Sequence, residues 1–182
     1  MQNQNQNQKN GCIANLYAPG GKQLKSLPDG LYKAEPGSEF SIEVENKRAK
    51  QQFLVTAQVA NDPITGSETT GMLVDPNSNR SIKNWLHGSQ GPLAFFTDAK
   101  GQMKQAKAGS VFVNFYTVVE KTDGQKTSTM TARINKTSTK SVQVLDKPEA
   151  TIELRYANPT EWDRMQQASL AASGSSSSRS TR

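Results

Sequence analysis

Along most of the chain, apolar and polar positions alternate with period two far more often than with period 3.6. Over 39–45 the alternation is strict: Phe40, Ile42 and Val44 share one side, and Glu39, Ser41, Glu43 and Glu45 the other, as in a half-buried strand. Residues 52–60 repeat the pattern through Phe53, Val55, Ala57 and Val59. The polar segment 46–50 between the two runs predicts an antiparallel hairpin. Shorter strands are predicted at 72–74, 81–85 and 93–97. Residues 110–119 are apolar on both faces, with Val111, Val113 and Phe115 opposite Phe112, Tyr116 and Val118, which predicts a central strand covered on both sides. Asp123 and Gly124 form a tight-turn signal, and strands at 127–134, 140–145 and 150–156 follow.

One segment breaks the pattern. Asn158 is placed as an N-cap, Pro159 at the first helical position and Glu161 where it can bond back. Trp162, Met165, Ser169 and Leu170 then fall near one helical face. A helix over about 159–172 is expected, lying as a lid over the protein's own sheet edge. Some nine or ten short strands divided by Gly, Pro, Asn and Asp clusters predict an all-β fold, an antiparallel β-sandwich of jelly-roll-like type with one short C-terminal helix.

Composition refines the boundaries. Residues 1–10 (MQNQNQNQKN) and 173–182 (SGSSSSRSTR) have too few apolar side chains to offset the entropy of ordering their backbone. They are expected to be disordered polar arms flanking a single domain at 11–172. No run approaches the length of a membrane-spanning helix, and the Gln/Asn start lacks the basic and apolar leader of a signal peptide.

The chemistry-bearing residues are few. One cysteine (Cys12) and one histidine (His87) in 182 residues exclude an internal disulfide framework and a multi-cysteine zinc site, so no metal and no cofactor is expected. A nucleophilic triad would have to use His87, and there is no G-x-S-x-G elbow. Pro19-Gly20-Gly21-Lys22 lacks the first glycine and the hydroxyl of a phosphate loop and reads as a turn. Glu39, Glu43 and Glu45 share the outer face of one strand, where carboxylates are ordinarily solvated. The chain is therefore expected not to be an enzyme.

Charge has a location. Lys100, Lys104, Lys107, Lys121, Lys126, Arg133, Lys136 and Lys140 stand against only Glu120 and Asp123, a surplus of six that equals the net charge of +6. This segment is a candidate basic interaction surface for an acidic protein surface or a polyanion. Seven of the eight cations are lysines, which suits diffuse attraction better than bidentate recognition. A candidate loop contact site is formed by Asn77, Asn79, Asn84, His87 and Gln90 around Trp85, where amides bond a ligand's hydroxyls if the indole is exposed. With the indole buried, Trp85 instead fills the space between the sheets and one of Phe95 and Phe96 faces inward. The core placement is the default expectation.

The succession Phe40-Ser41-Ile42-Glu43-Val44-Glu45-Asn46, Leu54-Val55-Thr56-Ala57-Gln58-Val59, Gly71-Met72-Leu73-Val74-Asp75-Pro76, Ile82-Lys83-Asn84-Trp85 and Ala94-Phe95-Phe96 resembles small β-sandwich proteins encoded by bacteria and their viruses. The resemblance covers 39–97 and implies a sandwich without implying an activity. Strand pattern, polar arms and missing catalytic spacing together predict a non-catalytic structural component of a viral particle: a minor capsid, penton-type or decoration protein. Its partners would be copies of itself or other particle proteins, and its location the virion, with the bacterial cytoplasm as the alternative. A glycan- or anionic-surface-binding module is the competing expectation, and an uncharacterised enzyme the third.

Overall fold

The computed structural model describes residues 7–87, 91–120, 124, 126–135 and 138–180. In chain order its elements are β1 (Gln8–Lys9), β2 (Cys12–Ala18), β3 (Lys22–Gln23), β4 (Tyr32–Lys33), β5 (Ser41–Asn46), β6 (Phe53–Val59), β7 (Asp62–Pro63), β8 (Thr70–Val74), β9 (Ser78–Ile82), β10 (Ala108–Thr117), β11 (Thr127–Arg133), β12 (Thr139–Leu145), β13 (Ala150–Ala157) and α1 (Pro159–Ser180). The alternating runs sort into two sheets. The smaller has the order β1-β2-β5-β9, with β3 added to β2. The larger runs β12-β11-β8-β6-β10-β13-β4, with β7 on β6. Pairing is antiparallel except between β11 and β8 and between β13 and β4. The fold is thus all-β and sandwich-like, with one C-terminal helix.

Period-two alternation turns one face of each sheet inward. Ala14, Leu16, Ile42 and Val44 from the smaller sheet meet Phe53, Val55, Val113, Phe115, Ile152 and Leu154 from the larger, and all are buried. Phe53 and Phe115 touch edge to face with centroids 5.9 Å apart. Residues 110–119 are central as expected, because β10 lies between β6 and β13. Their second face is covered by an unforeseen device. The β11–β12 hairpin returns to β10 through the Val118–Val144 bridge and the Val119 N–H, which donates to Gln143 O at 2.9 Å. This closes a small barrel-like ring around Leu54, Met130, Ala132 and Val144.

Four expectations are corrected. The 39–45 and 52–60 runs do not form a hairpin: β5 belongs to the smaller sheet and β6 to the larger, so 46–50 crosses between layers. Residues 93–97 form no strand, only isolated bridges such as Glu39–Ala94 and Thr97–Met103. Phe95 and Phe96 are both buried, where a strand would send them to opposite faces. Phe96 takes φ +59°, and this left-handed residue breaks the alternation. Of the N-terminal arm, 1–6 lie outside the described residues, while Gln8–Lys9 form a strand and Asn7 Nδ2 donates to Asn15 Oδ1 (2.6 Å) and Tyr32 Oη (3.1 Å). The sequence there is polar, but its backbone groups pair with β2, and that pairing does not depend on side-chain polarity.

The helix is capped as read, with Asn158 Oδ1 accepting from the Glu161 N–H at 2.8 Å. Glu161 does not bond back: its carboxylate holds Arg164 instead. Trp162 is buried with Leu27, Leu31 and Ala157, Met165 packs beside them, and the Trp162 indole donates to Leu31 O at 2.9 Å. Ser169 and Leu170, expected on the same packed face, are exposed, and the helix runs to Ser180 instead of ending at Ala172.

Burial of neutral acids makes stability fall at alkaline pH. Burial, reinforced by the charge of Glu149, pushes the Cys12 thiol from its ordinary 9.0 up to about 12, and burial pushes Tyr156 from 10.0 to about 12. Each group stays protonated in the fold where the unfolded chain ionises. Their contribution is complete below pH 9 and is lost as pH climbs towards 12. Urea midpoints measured across this window are expected to fall, with a shallower fall in Tyr156→Phe. Cys12 is expected to resist thiol reagents until the protein unfolds.

Candidate functional site

The loop residues proposed as one contact site are dispersed. Asn77 sits in the turn between β8 and β9, with its N–H on Arg48 O at 3.1 Å, while Asn79 is on β9 opposite Glu45. His87 Nε2 is bonded to Pro63 O, and its imidazole stands edge-on to the Trp85 ring at 5.7 Å, so these contacts brace it against the core. Gln90 lies outside the described residues. Only Asn84 remains beside Trp85 at an opening in the surface.

The basic residues are dispersed too. Lys100, Lys104 and Lys107 belong to the loop that leads into β10, where Lys104 Nζ is 3.4 Å from Asp62 in an exposed pair. Lys126 precedes β11, and Lys140 pairs in register with Ala132 near the other end of that strand. At about 3.3 Å per residue the two ends of β11 are roughly 20 Å apart. Arg133 ends β11 and points to a different environment from the lysines, as described below. Lys121 and Lys136 lie outside the described residues. Lys126 and Lys140 are therefore held apart along β11, and Lys104 is paired with Asp62.

What the fold assembles is a cleft of about 220 Å³ lined by Met72, Arg80, Asn84, Trp85, Leu86, Arg133, Ile134 and Asn135. It opens where the sandwich meets the barrel-like ring. Past the end of β9, the chain is pinned by Trp85 N–H donating to Gly91 O, Leu86 N–H to Ile64 O and Leu93 N–H to Lys83 O, each at 2.9 Å. This fixes the Trp85 side chain in the core, only 3% exposed, as the sequence led one to expect. On β11, alternation buries Met130 and Ala132 in the ring and turns Arg133 the other way. Its Nη2 then donates to Leu86 O at 2.9 Å.

Two of the lining residues carry a buried donor that lacks an acceptor. Trp85 Nε1–H and Arg133 Nε–H are both buried and bonded to nothing. A buried donor without a partner costs about 1–3 kcal/mol, and native proteins keep few of them. Sequence reasoning named both residues but placed them in separate sites, because pairing between β11 and β8 is long-range and leaves no local signature. Among the described residues no cluster of His, Cys, Asp and Glu is arranged to hold a metal ion, and no helix is long and apolar enough to cross a membrane.

Fold and cleft define the class: an all-β protein of two packed sheets carrying one C-terminal helix. Compared with protein-family models, curated proteins and solved structures, the chain has no match in any of the three.

Proposed function

We propose that the chain is a non-catalytic structural component of a viral particle, of minor capsid, penton-type or decoration kind, acting in the virion by joining copies of itself or other particle proteins. The observation that carries this reading is α1. Its 22 residues reach about 33 Å, yet its buried anchorage is Trp162, with Met165 packed beside it. Residues 167–172 are exposed throughout, and Leu170 is 60% exposed. A helix rich in serine gains little from propensity alone and depends on tertiary packing. The exposed stretch 167–172 is therefore suited to lie against a neighbouring copy. The resemblance of 39–97 to small β-sandwich proteins encoded by bacteria and their viruses agrees with this reading.

Leu170→Glu, which replaces an exposed side chain, is expected to leave the unfolding midpoint unchanged while reducing the assembled fraction seen by light scattering. An unchanged assembled fraction would remove α1 from the contact. A second reading is a binding module for glycans or anionic surfaces, and the two unpaired donors of the cleft support its anionic side.

A further inference from the structure

We propose that the cleft between Trp85 and Arg133 is a binding site for a small carboxylate carrying a short apolar chain. The inference is independent of the assembly reading, since the cleft and α1 share no residue.

The lining selects this chemistry. Its two unpaired groups, Trp85 Nε1–H and Arg133 Nε–H, are donors only, so the missing partner is an acceptor. Arg133 and Arg80 are cations, and among the described residues no acidic side chain lines the cleft. An anion is thus favoured over a neutral acceptor. Met72, Leu86, Ile134 and the Trp85 ring supply apolar walls, which suit a hydrocarbon chain and fit poorly with a phosphate dianion, whose oxygens all seek polar partners. A sugar would need acceptors for its own hydroxyls, and one of the two amides present is engaged, since Asn135 Oδ1 accepts from Ser138. The volume, about 220 Å³, lies below the range of drug-sized pockets and fits one small acid or one residue of a peptide. Arg133 Nη2 is fixed on Leu86 O, so the guanidinium is held in place before a ligand arrives.

The chain provides its own reference for the test. It has two tryptophans, and the Trp162 indole already donates to Leu31 O. In a 15N–1H spectrum of the full-length protein, titration with valerate is expected to move the Trp85 indole resonance downfield to saturation while the Trp162 resonance stays still. Valeramide, the neutral counterpart, should act far more weakly. Arg133→Lys keeps the charge but removes Nε–H and is expected to weaken binding about tenfold or more. Should that variant unfold, Ile134→Glu at the exposed rim (Ile134 is 52% exposed) should weaken binding by repulsion with the fold intact. A short apolar peptide with a free C-terminal carboxylate, compared with its amidated form, separates a peptide source from a free acid: saturation by valerate alone indicates the free acid, and saturation by the carboxylate peptide indicates a chain terminus. A Trp85 resonance unmoved by both carboxylates, or moved equally by valeramide, overturns the proposal and leaves water as the partner of the two donors.

Discussion

Asn46→Asp is expected to destabilise the protein by about 3–5 kcal/mol near neutral pH, among the largest effects of any single substitution in this fold. Asn46 ends β5, is fully buried, and stands where the chain crosses from the smaller sheet to the larger. Its Nδ2 donates to Gln51 O at 2.6 Å, Asp75 O at 3.1 Å and Val74 O at 3.3 Å, while its Oδ1 accepts from the Arg48 N–H at 2.9 Å. One side chain therefore satisfies carbonyls of both the crossover and the β8–β9 turn. Aspartate preserves the shape but turns an acceptor, and at neutral pH a charge, toward three carbonyl oxygens. Burial raises the pKa of such a carboxyl in the folded variant, so the protonated form is stable in the fold below the unfolded value and the penalty grows as pH rises through the folded one. Urea melts of variant and parent are expected to converge as pH falls towards 4, near the ordinary aspartate value. A penalty equal at all pH values would mean that loss of the Nδ2 donor, and not the charge, sets the cost.

Gly71→Val is expected to cost about 3 kcal/mol or more, seen as a lowered midpoint with an unchanged m-value. A Cβ on Gly71 would lie 2.5 Å from Val55 O and 3.0 Å from Val55 C, main-chain atoms of the strand paired with β8. Neither can rotate away as a side-chain tip would, so β8 must separate from β6. The strain then reaches β11, which pairs with β8 through Ala132 opposite Gly71 and Arg133 opposite Met72. Loss of the cleft in this variant is therefore expected together with the loss of stability.

These two positions show what the sequence could and could not disclose. Strand existence was legible wherever one face is buried, as in β5 and β13, because alternation there records a physical boundary between core and solvent. Sheet membership was not legible. The polar run after β5 has the composition of a hairpin turn, and only the buried Asn46, with three carbonyls to serve, reveals a crossing between layers. Phe95 and Phe96 were misread for a related reason. Adjacent aromatics read as opposite faces until one residue adopts a left-handed φ, and no side-chain pattern announces that. Helix α1 was found through Asn158 and Pro159, whereas the exposure of 167–172 follows from where Trp162 and Met165 stop packing.

For the candidate site the sequence supplied the residues but not their grouping. The members of Lys100 to Lys140 that are described are spread over the loop before β10, the start and end of β11 and the start of β12. Trp85 and Arg133 come together through the parallel pairing of β11 with β8 and the bond from Arg133 Nη2 to Leu86 O. Both contacts join parts of the chain tens of residues apart, and neither leaves a spacing to be recognised.

Sedimentation velocity of the full-length protein over a wide concentration range tests the proposed role most directly. A structural component joined through α1 predicts discrete, closed oligomers that grow with concentration and revert to monomer in Leu170→Glu. A single monomeric boundary at every concentration, unaltered by that substitution, would contradict it.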